Sequence, residues 1–200
     1  MNIKQGPIFL ELAGLPAAGK TTTANLLRDA VKERGWKSVI VPEAAARSPL
    51  SGIKREWQFN AWTLCQSVTS MIELGFRPSY HLVILDRGLV DALCWISWFR
   101  KMGKIEREVA DALEDFARVK AWFDMLRVVV VLRVKFETAL SRRGHTGRIL
   151  NDQTFQDLHV AYDATLRNIM RDQPVRRIHI LDTDELSPLE VRDWTLARLN

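Results

Sequence analysis

Short aliphatic and β-branched runs alternate along this chain with longer stretches in which apolar residues recur every three to four positions. Five runs read as strands: Ile8–Ala13, Ser38–Val41, Leu82–Asp86, Val128–Leu132 and Arg177–Leu181. The middle three are nearly continuous in hydrophobic residues, as expected of parallel strands buried on both faces. Between the runs, the helical period predicts helices over Lys20–Glu33, Glu56–Glu73, Leu89–Lys101, Ile105–Met125, Asn151–Arg171 and Pro188–Leu199. Ser187 and Pro188 give the last of these a side-chain cap and a proline in its first turn. Gly35 and Gly75 read as left-handed terminators of the first two. Strand–helix alternation predicts an α/β domain of three layers: a five-stranded parallel sheet flanked by helices, with its loops converging at the carboxyl edge.

Composition keeps this reading within ordinary bounds. The 200 residues are 47% hydrophobic and 26% charged, which excludes a disordered or fibrous chain. No repeat, linker or low-complexity tract divides them, so one domain over residues 1–200 is expected. The longest aliphatic run falls far short of the roughly 20 residues that span a bilayer. Pro7–Gly19 imitates a secretory core, but Glu11 interrupts it, and Lys20-Thr21-Thr22 stands where a cleavage site would be. Cys65 and Cys94 lie in apolar helical patterns without metal-ligand spacing and read as structural thiols, so a cytoplasmic setting is expected. The four histidines show no ligand spacing either. Lys and Arg exceed Asp and Glu by 29 to 24, a balance that favours anionic partners such as nucleotides, phosphates or nucleic acid.

Gly14-Leu15-Pro16-Ala17-Ala18-Gly19-Lys20-Thr21 matches G-x-x-x-x-G-K-[ST] and stands between the first strand and the first helix. A polyphosphate needs backbone N–H donors at close range, which the glycines permit, and a helix start whose dipole points at the anion. The nucleotide is therefore expected against Gly14, Ala17, Ala18, Gly19, Lys20, Thr21 and Thr22. Lys20 should reach the β- and γ-phosphates and the Thr21 hydroxyl should hold Mg²⁺. Asp86 ends a hydrophobic strand and reads as the second metal-side group, or as a cap for the helix that follows. The expected cofactors are ATP and Mg²⁺; the absence of N-K-x-D argues against guanine.

The phosphate loop followed by Asp86-Arg87-Gly88 resembles the P-loop nucleoside and nucleotide kinase superfamily, of the thymidylate kinase and deoxynucleoside kinase kind. Three further segments carry the likeness: Val41-Pro42-Glu43, Arg142-Arg143-Gly144-His145-Thr146-Gly147-Arg148 and Leu181-Asp182-Thr183. The resemblance implies a three-layer P-loop fold with a short lid at about 141–150. It implies Glu43 as general base toward a hydroxyl, Arg87 as the group that holds the acceptor, and Asp182 beside the adenine. It also implies lid arginines that fold over the transferring phosphoryl group; of Arg142, Arg143 and Arg148, the last two are favoured, since Arg142 could instead lie on the far face of the preceding helix. Arg47, Trp62 and Gln66 would contact the acceptor. The pattern departs from the family at Ala13, where a glutamate is usual, at Pro42-Glu43-Ala44 and at Gly88.

Other residues stay open. Trp95, Trp98 and Phe99 read as core or as a homodimer face. Glu11 lies inside a buried strand, where a lone carboxylate is costly unless paired or open to the site. The function expected is an ATP- and Mg²⁺-dependent phosphotransferase acting on a hydroxyl of a nucleoside-like or other small acceptor. Alternatives are a nucleoside monophosphate kinase, a polynucleotide or modified-base kinase suggested by Lys54-Arg55, Arg100-Lys101 and Arg176-Arg177, and a nucleotide-switch ATPase that binds a partner.

Overall fold

The five aliphatic runs pair into one all-parallel sheet in the computed structural model, which describes residues 6–44, 48–53, 56–77, 79–143, 151–172 and 177–199. The strands are β1 (Ile8–Gly14), β2 (Ser38–Val41), β3 (Leu82–Asp86), β4 (Leu126–Arg133) and β5 (Arg177–Asp182), in the order β2-β3-β1-β4-β5. The helices are α1 (Lys20–Glu33), α2 (Trp57–Gly75), α3 (Leu89–Lys101), α4 (Arg107–Ala117), α5 (Lys120–Phe123), α6 (Phe136–Arg143), α7 (Asp152–Asp172) and α8 (Pro188–Leu196). Helix α1 packs with α8, while α3 packs with α2, α4 and α7, giving two helical layers about the sheet. All five residues of β3 are buried, which is why its sequence shows no alternation. This is the P-loop NTPase fold that the strand–helix pattern predicts.

Because β1 lies between β3 and β4, the connection from β1 to β2 and the one from β3 to β4 leave in opposite directions. Such a reversal opens a crevice at the carboxyl ends of the strands, and it falls between Gly14 and Asp86. Strand β4 begins two residues earlier than expected because of an irregularity in its register. Phe9 pairs with Leu126 and Leu10 with Val128, leaving Arg127 bulged outward and exposed.

The expected helix Ile105–Met125 is two helices. The break falls at Arg118, where Trp122 folds back: its indole N–H donates to the Phe116 carbonyl at 2.9 Å and its ring packs on Phe116. Gly35 has the expected left-handed backbone, but Gly75 does not. It is the last residue of α2, and a Cβ there would collide with the Met125 methyl. Cys94 is buried as a structural thiol should be, whereas Cys65 is exposed on α2. Trp98 and Phe99 are buried and Trp95 packs against them, so that stripe is core rather than a dimer face. Among the described residues, no helix is long and apolar enough to cross a membrane.

Candidate active site

The loop from Gly14 to Lys20 owes its shape to a few backbone positions. Gly14 has φ 137°, and a Cβ on it would fall on the Leu132 carbonyl of the neighbouring strand. Ala17 (φ 62°) and Gly19 (φ 95°) are also left-handed, the reversal that anion-binding nests of amides require. Lys20 opens α1 and turns back through the loop. Its ammonium donates to the carbonyls of Gly14 at 2.9 Å and Leu15 at 2.8 Å. Burial, seconded by the charge of Arg87, brings its pKa down to about 8.

Thr21 donates from its hydroxyl to Asp86 Oδ2 at 2.5 Å, so the first turn of α1 meets the end of β3. Among the described residues, Asp86 Oδ1 is buried with no hydrogen-bond partner. Burial raises the Asp86 pKa, and the Thr21 hydrogen bond opposes the rise. A hydroxyl beside a carboxylate with one oxygen unclaimed is a hard-oxygen donor pair that fits Mg²⁺. Asp86 does not cap α3.

That cap comes from Glu11. Its carboxylate, wholly buried in β1, accepts from the backbone N–H groups of Val90 at 3.1 Å and Asp91 at 2.8 Å. Gly88 makes room for it, since a Cβ there would press on the Glu11 carboxylate. Burial pushes the Glu11 pKa up to about 7 against the pull of those backbone donors. The buried charge is thus paired with the positive end of a helix.

Arg87 stands between the two sides of the crevice. Its backbone is left-handed (φ 69°), with its N–H donating to the Leu12 carbonyl at 3.0 Å. Nη1 donates to Asp91 Oδ2 at 2.6 Å, and Nε lies 2.9 Å from Glu43 Oε1, an ion pair without hydrogen-bond alignment. Burial opposes its charge, but Asp91 and Glu43 outweigh burial and hold the pKa well above the usual arginine value. Pro16 to Lys20 of the phosphate loop, the first turn of α1, Glu43, Arg87, Arg142 and Thr183 line one cleft of about 480 Å³, whereas Gly14 and Leu15 line a separate small cavity.

Solved structures of deoxyadenosine kinase from M. mycoides share this arrangement of elements. The complex with bound dCTP matches with a TM-score of 0.73 at 16% identity, over 96% of this chain and 99% of that one. The complex with dCMP and a flexible dCDP gives the same values, and the one with dATP gives a TM-score of 0.70 at 17% identity. The chain has the fold of a deoxynucleoside kinase. No protein-family model and no curated protein matches its sequence.

Within this kinase fold, the expected residues fall into three groups. Ala17, Ala18, Gly19, Lys20, Thr21, Thr22, Glu43 and Arg87 line the cleft together. Trp62 and Gln66 are half-buried on the flank of α2 and are not part of the described lining. Arg47, Arg148 and the side chain of Arg143 lie outside the described residues.

Asp182 and Arg142 are placed by contacts that the sequence does not show. Asp182 is exposed and opens on a neighbouring cavity of about 710 Å³ between β5 and α8. It is Thr183, one residue on, that is buried and turns to the phosphate loop, its hydroxyl 3.4 Å from the Ala18 carbonyl. Arg142 does not face away from the site. It donates to the Thr183 hydroxyl at 3.0 Å and to the Thr183 carbonyl, and it lines the cleft. The i, i+1 ambiguity at a strand end hid Thr183, and a helix without a clear apolar stripe hid the side on which Arg142 lies. Asp91 and Tyr162 were missed altogether, because nothing in the local sequence marks a partner 71 positions away.

The basic pairs are in part neutralised by the chain itself. Arg100 pairs with Asp111 and Glu114, and Lys101 with Asp157. Lys54-Arg55 and Arg176 lie outside the described residues.

Proposed function

We propose that this chain is an ATP- and Mg²⁺-dependent kinase that transfers the γ-phosphoryl group to a hydroxyl of a nucleoside-like acceptor. The observation that carries the reading is Glu43, a carboxylate set in the same cleft as the phosphate loop and held there by Arg87. Phosphoryl transfer asks for positioning and charge neutralisation more than covalent chemistry. The amides from Ala17 to Thr22 would receive the phosphates, and Lys20 would exchange its two loop carbonyls for phosphate oxygens. Thr21 and Asp86 would hold Mg²⁺, which when bound neutralises charge on the phosphates.

Glu43 accepts the proton of the acceptor hydroxyl as its oxygen attacks the γ-phosphorus, and ADP leaves with the bridging oxygen. Arg87 orients Glu43. Its charge is already matched by two carboxylates, which favours an uncharged hydroxyl acceptor over a monophosphate. The deoxynucleotides bound by the M. mycoides enzyme support the nucleoside-like class. Trp62, Gln66 and Arg47 are assigned to the acceptor, Arg142, Arg143 and Arg148 to the lid over the phosphates, and Asp182 to the nucleotide's base side.

The test is ADP release from MgATP with a panel of nucleosides, monophosphates and oligonucleotides, run on the parent protein and on Glu43→Gln. Release that depends on a nucleoside, with kcat lowered about 100-fold or more in the variant, is expected. Release indifferent to every acceptor, or a variant with the parent's kcat, would contradict it.

A further inference from the structure

We propose that Asp91 is a positioning residue for phosphoryl transfer, one buried carboxylate that fixes the phosphate loop and the acceptor-side arginine relative to each other. The inference rests on the kinase reading above and concerns a residue outside the cleft lining. Asp91 is 2% exposed and spends both oxygens on different halves of the site. Oδ1 accepts from the Gly14 backbone N–H at 3.0 Å and from the Tyr162 hydroxyl at 2.6 Å. Oδ2 accepts from Arg87 Nη1 at 2.6 Å. Gly14 begins the loop that takes the phosphates; Arg87 aims Glu43.

Each neighbour of Asp91 constrains it from a different element. Glu11 in β1 accepts from the Asp91 N–H, so the α3 backbone is fixed at that residue. Tyr162 in α7 fixes the carboxylate from above the helix. A purely structural role accounts poorly for this arrangement. The N-terminus of α3 is already capped by Glu11, and β1 is already paired with β3 and β4. What Asp91 adds is a link between donor and acceptor. A carboxylate desolvated to this degree needs good partners, and its three donors supply them. Without Asp91, Arg87 would be left with a long contact from Nη1 to the Gly14 carbonyl at 3.4 Å and with its ion pair to Glu43, the group it is meant to hold.

Asp91→Asn separates the link from the packing. The amide keeps an oxygen for Gly14 and Tyr162 but turns an N–H donor toward Arg87 Nη1, which is also a donor. With deoxyadenosine and deoxycytidine as acceptor probes, kcat should fall about 100-fold and the acceptor KM should rise, as for a misplaced catalytic pair. Calorimetric affinity for a non-hydrolysable ATP analogue with Mg²⁺ should stay within about threefold, because the Gly14 contact survives. Tyr162→Phe, which removes the hydroxyl that bonds Asp91 and lies 3.4 Å from the Gly14 carbonyl, should lower kcat about fivefold in a folded protein, a milder version of the same misplacement. Both variants showing the parent's kcat and acceptor KM, even with a lowered Tm, would overturn the inference. A parent protein without acceptor-dependent ADP release would instead overturn the kinase reading, so the two failures are told apart by which protein shows them.

Discussion

The proposed phosphate side of the cleft comes from one uninterrupted stretch, Gly14–Thr21, whereas the proposed acceptor side is assembled from the loop after β2, the turn after β3, the start of α3 and, through Tyr162, α7. The first is built mainly from backbone: left-handed turns, amides and a helix start. The second is built from side-chain charge: two carboxylates on one guanidinium, with a third carboxylate beneath them. A backbone cradle binds any polyphosphate of the right shape and tolerates change in its x positions. A charge network is only as good as its least satisfied member. Specificity and rate should therefore be sensitive to the acceptor side, and nucleotide affinity to the loop.

The sharpest way to break this division is to remove a cationic side chain that faces both parts of it. Lys20 is held by loop carbonyls yet lies within electrostatic reach of Arg87, Asp91, Asp86 and Glu43. Lys20→Ala should lower both nucleotide affinity and turnover, the latter by about 1,000-fold or more. Glu43→Gln should lower turnover alone. If Lys20→Ala left nucleotide affinity at the parent's value in calorimetry, the loop would not be the donor site.

A smaller effect separates the support beneath the network from the network itself. Glu11 titrates at about 7 in the folded chain against an ordinary 4.5, so between these values the folded state keeps a proton that the unfolded state has lost. Its contribution is full below about pH 4.5 and is lost as pH rises through 7, a decline of roughly 3 kcal/mol. Urea unfolding at pH 5, 6, 7 and 8 should show stability falling with pH in the parent and a flatter profile in Glu11→Gln. Parallel profiles in the two proteins would refute this account of Glu11.

The same division explains what could be read from the sequence. The bounds of β2, β3, α1 and α3 follow from hydrophobic period and loop chemistry alone, because each is a local pattern. The phosphate loop is legible for the same reason. The break at Arg118 is not, since it depends on the Trp122 indole reaching back to a carbonyl rather than on glycine or proline. Glu11 could be recognised as anomalous but not explained, because the amides that satisfy it lie 79 and 80 positions away. Thr183 and Arg142 required knowledge of how β5 and α6 turn toward the loop. Long-range polar pairing has no period, and it is where sequence reasoning stopped.

The central claim is that a single crevice presents a nucleotide's terminal phosphate to Glu43. A crystal structure of the protein with a non-hydrolysable ATP analogue and Mg²⁺ tests it most directly. The account predicts phosphate oxygens on the amides from Ala17 to Thr22, with the terminal phosphorus facing Glu43 and Arg87 across a gap that admits one hydroxyl. A triphosphate bound elsewhere, or one whose terminal phosphate points away from Glu43, would contradict it.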